Sequence, residues 1–306
     1  MGDIKEGLNV KPFMDQLAVA VRQRGNAVVV GIDPRYEQLP NELRLDHPSL
    51  DQRAEAYARF GCEIIDVVAD KVPAVKPQMA FFEQLGPAGL AALHRVVAHA
   101  RRRNLLVILD GKRNDIGSTA SAYAQAYLGR DSAWQGDALT VSPYLGDDSL
   151  TPFVETAVAQ QAGIFVLVKT SNPGGKTFQD LTVNGRTLYT HVAQHVEQLA
   201  SASAGESGYG AVGAVVGATY PQQLAELREL MPHTWFLVPG FGAQGGTAED
   251  VQPAFDAHGL GAIVNSSRAI IFAYRRPEFE VAAAQSWQAA VEAATDEMTG
   301  QLGVTA

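Results

Sequence analysis

Cysteine is almost missing from this chain: there is one, Cys62, in 306 residues. An internal disulfide is therefore impossible, and so is a zinc site built on several thiolates. Cys62 falls in a helical stretch and reads as a buried structural thiol, not a nucleophile. The seven histidines show no HExxH or other paired spacing, so no metal site is expected. No stretch approaches the ~18 to 20 apolar residues of a membrane span. The first residues, Met1 to Glu6, lack a secretory pattern, and Glu6 stands where a myristoylation signal needs Ser or Thr. The expectation is a soluble, cytoplasmic protein. Cationic charge is also scarce. Against 24 Lys and Arg stand 33 Asp and Glu, for a net charge of −9 and a pI near 5.3. That balance argues against nucleic acid and anionic membranes as main partners. It leaves room for a local cationic site that takes an anionic small ligand.

What is present is ordinary globular material, 46% hydrophobic and 19% charged. Short β-branched and apolar runs alternate with helical spacing along the whole chain. Val10 to Arg24 reads as a helix with Phe13, Leu17 and Val21 on one face. Strands are expected at Val28 to Asp33, Val72 to Phe81, Leu105 to Leu109, Asp137 to Gly146, Gly163 to Ser171, Ala211 to Ala218, Trp235 to Pro239 and Gly261 to Asn265. Helices are expected at Leu50–Ala69, Gly86–Arg103, Ser118–Leu128, Ser149–Gln161, Thr187–Ser201, Pro221–Leu230 and Thr247–His258, and after strand eight. The strands are near-continuous apolar runs, as expected when both faces are covered. Eight strand–helix units favour an α/β fold, a (β/α)8 TIM barrel, over a doubly wound open sheet. No linker or low-complexity segment divides the chain. The reading is one domain over residues 1–306, with the barrel core at about 28–270.

A barrel places its site at the carboxyl ends of its strands. Asp33 ends strand one, Lys76 strand two, and Asp110 and Lys112 strand three. Thr170 and Ser171 end strand five, Gln244 lies in the loop after Pro239, and Arg268 follows strand eight. The densest stretch is Asp110-Gly-Lys-Arg-Asn-Asp115. Alternation points Asp110 and Lys112 the same way, and Asp115 lies where a helix should begin. Such a cluster shifts pKa values and holds a proton donor in place. Alone, the stretch also reads as a polar loop with a solvated salt bridge.

The glycines of Pro239-Gly-Phe-Gly-Ala-Gln244-Gly-Gly246 let a backbone approach a ligand, and the helix that follows attracts anions. Barrels often hold phosphate at the loops after strands seven and eight. A flexible glycine turn is the plainer alternative. The string Gly240-x-Gly242-x-x-Gly245 also spells a dinucleotide fingerprint. The acid expected about 20 residues on would fall in apolar strand eight, so that reading is rejected. Gly208-x-Gly210-x-x-Gly213 enters a strand instead of leaving one. Gly175-Lys-Thr177 lacks the first glycine of a P-loop.

Asp110-x-Lys112-x-x-Asp115-Ile116-x-x-Thr119 resembles the signature of the orotidine 5′-phosphate decarboxylase family. The resemblance continues through Gly-Ile-Asp33, Val-Lys76, Pro239-Gly-x-Gly-Ala-Gln244-Gly-Gly and Arg268, over about residues 28 to 270. Length and the stretch Val168-Lys-Thr-Ser-Asn-Pro-Gly174 look like the longer bacterial branch. Lys176 to Val183 aligns to nothing in shorter members, and its role stays open.

The resemblance implies decarboxylation of orotidine 5′-phosphate to UMP and CO2, in a barrel dimer without metal or organic cofactor. It makes Lys112 the cation and proton donor at C6, puts Asp110 beside the departing carboxylate, and completes the charge network with Lys76 and Asp115. Asp33, Lys76 and Thr119 would hold ribose hydroxyls, Ser171 the pyrimidine edge, and Gln244 and Arg268 the phosphate. Asp115, Ile116 and Thr119 would serve the partner's site. Two rivals stand beside this reading. A metal-dependent phosphosugar aldolase or decarboxylase of the same superfamily shares D-x-K-x-x-D but needs an acid where Ala74 stands. A non-catalytic nucleotide sensor would not need the Asp–Lys network.

Overall fold

The computed structural model describes residues 11–218, 221–241 and 246–303. Eight parallel strands close a barrel. They are β1 (Val28–Ile32), β2 (Ala74–Pro77), β3 (Leu106–Arg113), β4 (Ala138–Val141), β5 (Gly163–Lys169), β6 (Val212–Val216), β7 (Phe236–Pro239) and β8 (Ala262–Ser266). Each pairs with its neighbours in sequence, and β8 closes on β1 through Val28 opposite Val264. The chain folds as a (β/α)8 barrel, as expected. Among the described residues, no helix is long and apolar enough to cross a membrane.

Alternation along the strands sorts side chains into two cores. Val30, Val75, Val107, Leu109, Val141, Ile164, Val166 and Val264 face outward into the helical layer. Val29, Ala74, Ile108, Ala138, Phe165, Val215, Leu237 and Ile263 face inward. The helix Phe13–Arg24 closes the amino end of the barrel against this inner set. Its predicted face, Phe13, Leu17 and Val21, is fully buried. Phe13 meets Phe165 edge to face with centroids 6.2 Å apart.

The elements depart from expectation where backbone chemistry intervenes. β3 runs on to Arg113, four residues past the expected end, with a shift of register against β4. β2 stops at Pro77, and Met79–Glu83 turns into a short helix. The expected helix Thr247–His258 is only Ala248–Val251 plus a 3-10 turn at Gln252–Ala254. Pro253 has no N–H to continue it and disfavours helical backbone before it. After β8 the chain makes short turns around Pro277 before the long helix Trp287–Gln301. The stretch 172–187 contains the helix Lys176–Gln179 and a tight hairpin pairing Thr182–Val183 with Arg186–Thr187. Asn184 and Gly185 both carry positive φ there, as a type I′ turn requires.

Candidate active site

The residues two positions along each strand from the inner apolar set form the next layer up, at the carboxyl end. They are Gly31, Lys76, Asp110, Thr140, Leu167, Gly217, Pro239 and Asn265. β2 and β3 carry Lys76 and Asp110 side by side. Lys76 Nζ lies 2.5 Å from Asp110 Oδ2, and both side chains are buried. Lys112 Nζ lies 2.6 Å from Asp110 Oδ1 and keeps 47% of its side chain exposed. Gln78 donates to Oδ2 at 3.0 Å, and the Thr140 hydroxyl donates to Oδ1 at 2.9 Å. Each carboxylate oxygen thus accepts from one cation and one neutral donor.

Electrostatics follow from this packing. Burial alone would raise the Asp110 pKa, but Lys76 and Lys112 outweigh it and hold the carboxyl well below the usual range. Burial alone would lower the Lys76 ammonium; Asp110 and then Asp33 outweigh it and hold it above the ordinary lysine value. Both groups are therefore charged at neutral pH. The site is a fixed array of alternating charge, with one cation locked beneath and one facing out.

Gly111 leaves room for Met79 beside the cluster. A Cβ there would sit 2.7 Å from Met79 Sδ. Lys112 holds a left-handed backbone, φ +45, which costs a non-glycine residue on the order of 1 kcal/mol. Arg113 then ties the strand end to Glu83 and to the Tyr127 hydroxyl, and lies over the Tyr127 ring at 5.1 Å.

Asp115 does not join the cluster of its own chain. The hydrogen bond shown for its side chain is from Ile116 N, at 2.9 Å. Ile116 is 56% exposed and Thr119 is exposed on the first turn of the helix Gly117–Tyr127. Asp33 follows β1, and its buried Oδ1 has no hydrogen-bond partner among the described residues. The same holds for Asn265 Oδ1 and Ser267 Oγ. Gly31 lies between them, since a Cβ on it would meet Ser267 Cβ at 2.8 Å and Asn265 Oδ1 at 3.2 Å.

Ser171 follows β5 and backs onto Gly217, where a Cβ would meet Ser171 Cβ at 2.9 Å. The loop beyond it is pinned: Lys169 pairs with Asp180, and Gln179 brackets Thr170 through its N–H and its hydroxyl. Pro239 ends β7 opposite Asn265. Gln244 lies outside the described residues. Arg268 is exposed and opens a short helix after β8. It lines a cavity of about 480 Å³ together with Phe241 of the glycine loop, Ser266, Arg276 and, from the helix Trp287–Gln301, Ala294, Glu297 and Met298; none of Lys76, Asp110 and Lys112 lines it.

The structure thus joins Lys76, Asp110 and Lys112 directly and brings Asp33 near Lys76, whereas Ser171, Pro239 and Arg268 end or follow β5, β7 and β8 without a contact to that cluster among the described residues. Sequence reasoning missed Gln78, Thr140 and Asn265. The signal was there: each is a polar residue in the inward register at or just beyond an apolar strand. Cys62 is partly buried, and burial pushes its thiol up, as suits a structural cysteine. Among the described residues, no cluster of three His, Cys, Asp or Glu side chains is placed to hold a metal ion.

Comparison with known proteins shows which family the chain belongs to. A protein named orotidine 5′-phosphate decarboxylase from Rhodopirellula baltica is 60% identical over 297 residues, covering 95% of this chain and 98% of that one. One of the same name from Caldicellulosiruptor saccharolyticus is 40% identical over 275 residues, covering 86% of this chain and 90% of that one. The solved structure of Leishmania donovani OMP decarboxylase superposes with a TM-score of 0.74 at 32% identity, covering 95% of this chain and 97% of that one. A model of the orotidine 5′-phosphate decarboxylase / HUMPS family matches residues 28–284, and the chain belongs to that family.

Proposed function

We propose that this chain converts orotidine 5′-phosphate to UMP and CO2, the last step of de novo UMP synthesis. The observation that carries the reading is the Asp110 carboxylate, saturated by four donors, with Lys76 buried on one side and Lys112 half exposed on the other. In the reaction the bond from C6 to the carboxylate breaks, CO2 leaves, and the electron pair stays on C6. The Lys112 ammonium stabilises that charge and donates a proton to C6, which gives UMP and a neutral amine that solvent reprotonates. No electron sink is needed, because fixed charges act where charge develops. Asp110 holds Lys112 in place and faces the departing carboxylate. Asp33 and Lys76 bind ribose hydroxyls, Ser171 the pyrimidine edge, and Gln244 and Arg268 the phosphate.

The proposal includes a cytoplasmic homodimer that uses no cofactor, with residues 1–306 acting as one domain. Ala74 supports the metal-free reading over the aldolase-like one, because it is buried in the apolar floor beneath Lys76. The exposed Ile116 and Thr119, and Asp115 with its side chain bonded to the adjacent Ile116 N–H and not to the cluster of its own chain, support a site completed across a two-fold axis. The packing of Trp287–Gln301 on Leu50–Val68, with Lys71 paired to Asp296, supports one domain.

The direct test is the absorbance change as orotidine 5′-phosphate is consumed, with and without exhaustive chelation. Turnover is expected in both. No turnover sinks the reading, and turnover lost to chelator and restored by magnesium favours the aldolase-like rival. For the shared site, Asp110→Ala and Asp115→Ala are mixed under conditions of subunit exchange. Random pairing makes half the dimers mixed, and about one quarter of all sites should regain activity. A mixture that stays dead despite proven heterodimers places Asp115 in its own chain.

A further inference from the structure

The register shift between β3 and β4 has a chemical consequence. Leu109 pairs with Leu139, and the next pair is Arg113 with Val141. Between these rungs β3 carries Asp110, Gly111 and Lys112, whereas β4 carries only Thr140. The extra residues turn the strand so that Asp110 and Lys112 meet at the mouth, with Lys112 in the left-handed region. A bulge of this kind leaves backbone groups without a ladder partner, and a buried N–H without one is costly. Here Lys112 N donates to the Thr140 hydroxyl oxygen at 2.9 Å. The ladder resumes beyond it, where Ser142 N donates to Arg113 O at 3.0 Å.

We infer that Thr140 is a positioning residue for the decarboxylation, whose hydroxyl stands in for the missing rung and sets the Asp110–Lys112 pair. The direction of its bonds is determined by its partners. An amide N–H only donates, so the hydroxyl oxygen must accept from Lys112. An ionised carboxylate only accepts, so the hydroxyl proton must go to Asp110. One atom thereby fixes both the strained backbone of the proton donor and one oxygen of the carboxylate that pairs with it. Thr140 is 1% exposed, so water does not compete for either bond. Its inward register, two residues from Ala138, aims the hydroxyl at the cluster, and its β-branch suits a strand. Gln78, the other neutral donor to Asp110, shows no such bond to Lys112.

This inference rests on the roles proposed for Asp110 and Lys112, and the experiment separates the two. Thr140→Val keeps the shape and removes both bonds; Thr140→Ser keeps the hydroxyl. Misplacing reacting groups by a fraction of an ångström to an ångström costs roughly 10- to 100-fold in rate. Thr140→Val should therefore lower kcat by about that factor while its affinity for UMP stays within about 3-fold. Thr140→Ser should stay within about 3-fold of the unaltered enzyme in both. A purely packing role would show in thermal stability and would not be rescued by serine. The inference is overturned if Thr140→Val keeps kcat within about 3-fold, if Thr140→Ser falls as far as Thr140→Val, or if kcat and UMP affinity fall together. Should Thr140→Val fail to fold, Thr140→Ala carries the same expectations. A measurement on the unaltered enzyme stands independently: the Lys112 amide should exchange slowly with solvent, and exchange at loop rates refutes the bond. Lys112→Ala is assayed in parallel. If it abolishes turnover while Thr140→Val keeps kcat within about 3-fold of the unaltered enzyme, only the role of Thr140 fails. If Lys112→Ala stays active, the reading of the site itself fails.

Discussion

Two layers inside the barrel lie only two residues apart along each strand, about 6.6 Å, yet they obey opposite rules. The floor holds Val29, Ala74, Ile108, Ala138, Phe165 and Leu237, closed from below by Phe13 and Leu17. The mouth holds Lys76, Asp110 and Thr140 on the same strands, ringed by Gly31, Asn265 and Pro239. The floor is held by burial and dispersion, which have no direction and depend on volume. The mouth is held by bonds between named atoms, and each oxygen of Asp110 has its two donors. The floor also serves the mouth. It excludes water from beneath Lys76, so charges above it act at low dielectric and their positions matter more. A change in the floor should therefore be felt as stability, and a change in the mouth as rate.

Lys112→Ala is the strongest challenge to that contrast. The lysine is assigned to charge that develops only in the transition state, so kcat should collapse by about 1,000-fold or more. UMP affinity should move far less. A fall of only a few-fold means that the proton donor is wrongly assigned.

Arg268→Ala should act at intermediate strength and on a different quantity. An arginine–phosphate contact is charge-assisted and works at a distance from C6. The variant should lose about 10- to 100-fold in kcat/KM for orotidine 5′-phosphate and little for the nucleoside that lacks the phosphate. Equal losses for both substrates would remove Arg268 from the phosphate site.

Phe165→Leu probes the floor. It leaves a small void beside Phe13 and should lower unfolding stability by roughly 1 to 2 kcal/mol. At temperatures where the variant is folded, kcat should be unchanged. Denaturant melts and steady-state rates on the same sample check both halves. A kcat loss as large as that of a mouth variant would show that the two layers do not behave independently.

Much of the site was legible because charged residues are rare in buried strands. Asp33, Lys76, Asp110 and Lys112 interrupt apolar runs, and the barrel reading says that such interruptions gather at one end. Thr140 and Gln78 were less visible. A lone threonine in Ala138-Leu-Thr-Val141 fits a strand for its shape alone, and a glutamine after Pro77 looks like an ordinary loop residue. Their meaning depends on a partner strand, which composition and periodicity do not identify. The helix after the glycine loop was overread because its apolar spacing continued across Pro253, where the backbone stops. Gln244 lies outside the described residues, so its place at the phosphate rests on the proposal.

The sequence by itself determined the number and order of the strand–helix units, the apolar face of the first helix, and the cluster Asp110-x-Lys112. Those properties are local: periodicity, propensity and charge are written in consecutive residues. Only the tertiary structure decided which charges meet. It shifted β3 against β4, turned Lys112 into the left-handed region, gave its N–H to Thr140, and left Asp115 outside the cluster of its own chain. The reason is that register between parallel strands is set by packing across the whole barrel, and bonds between strands follow from register.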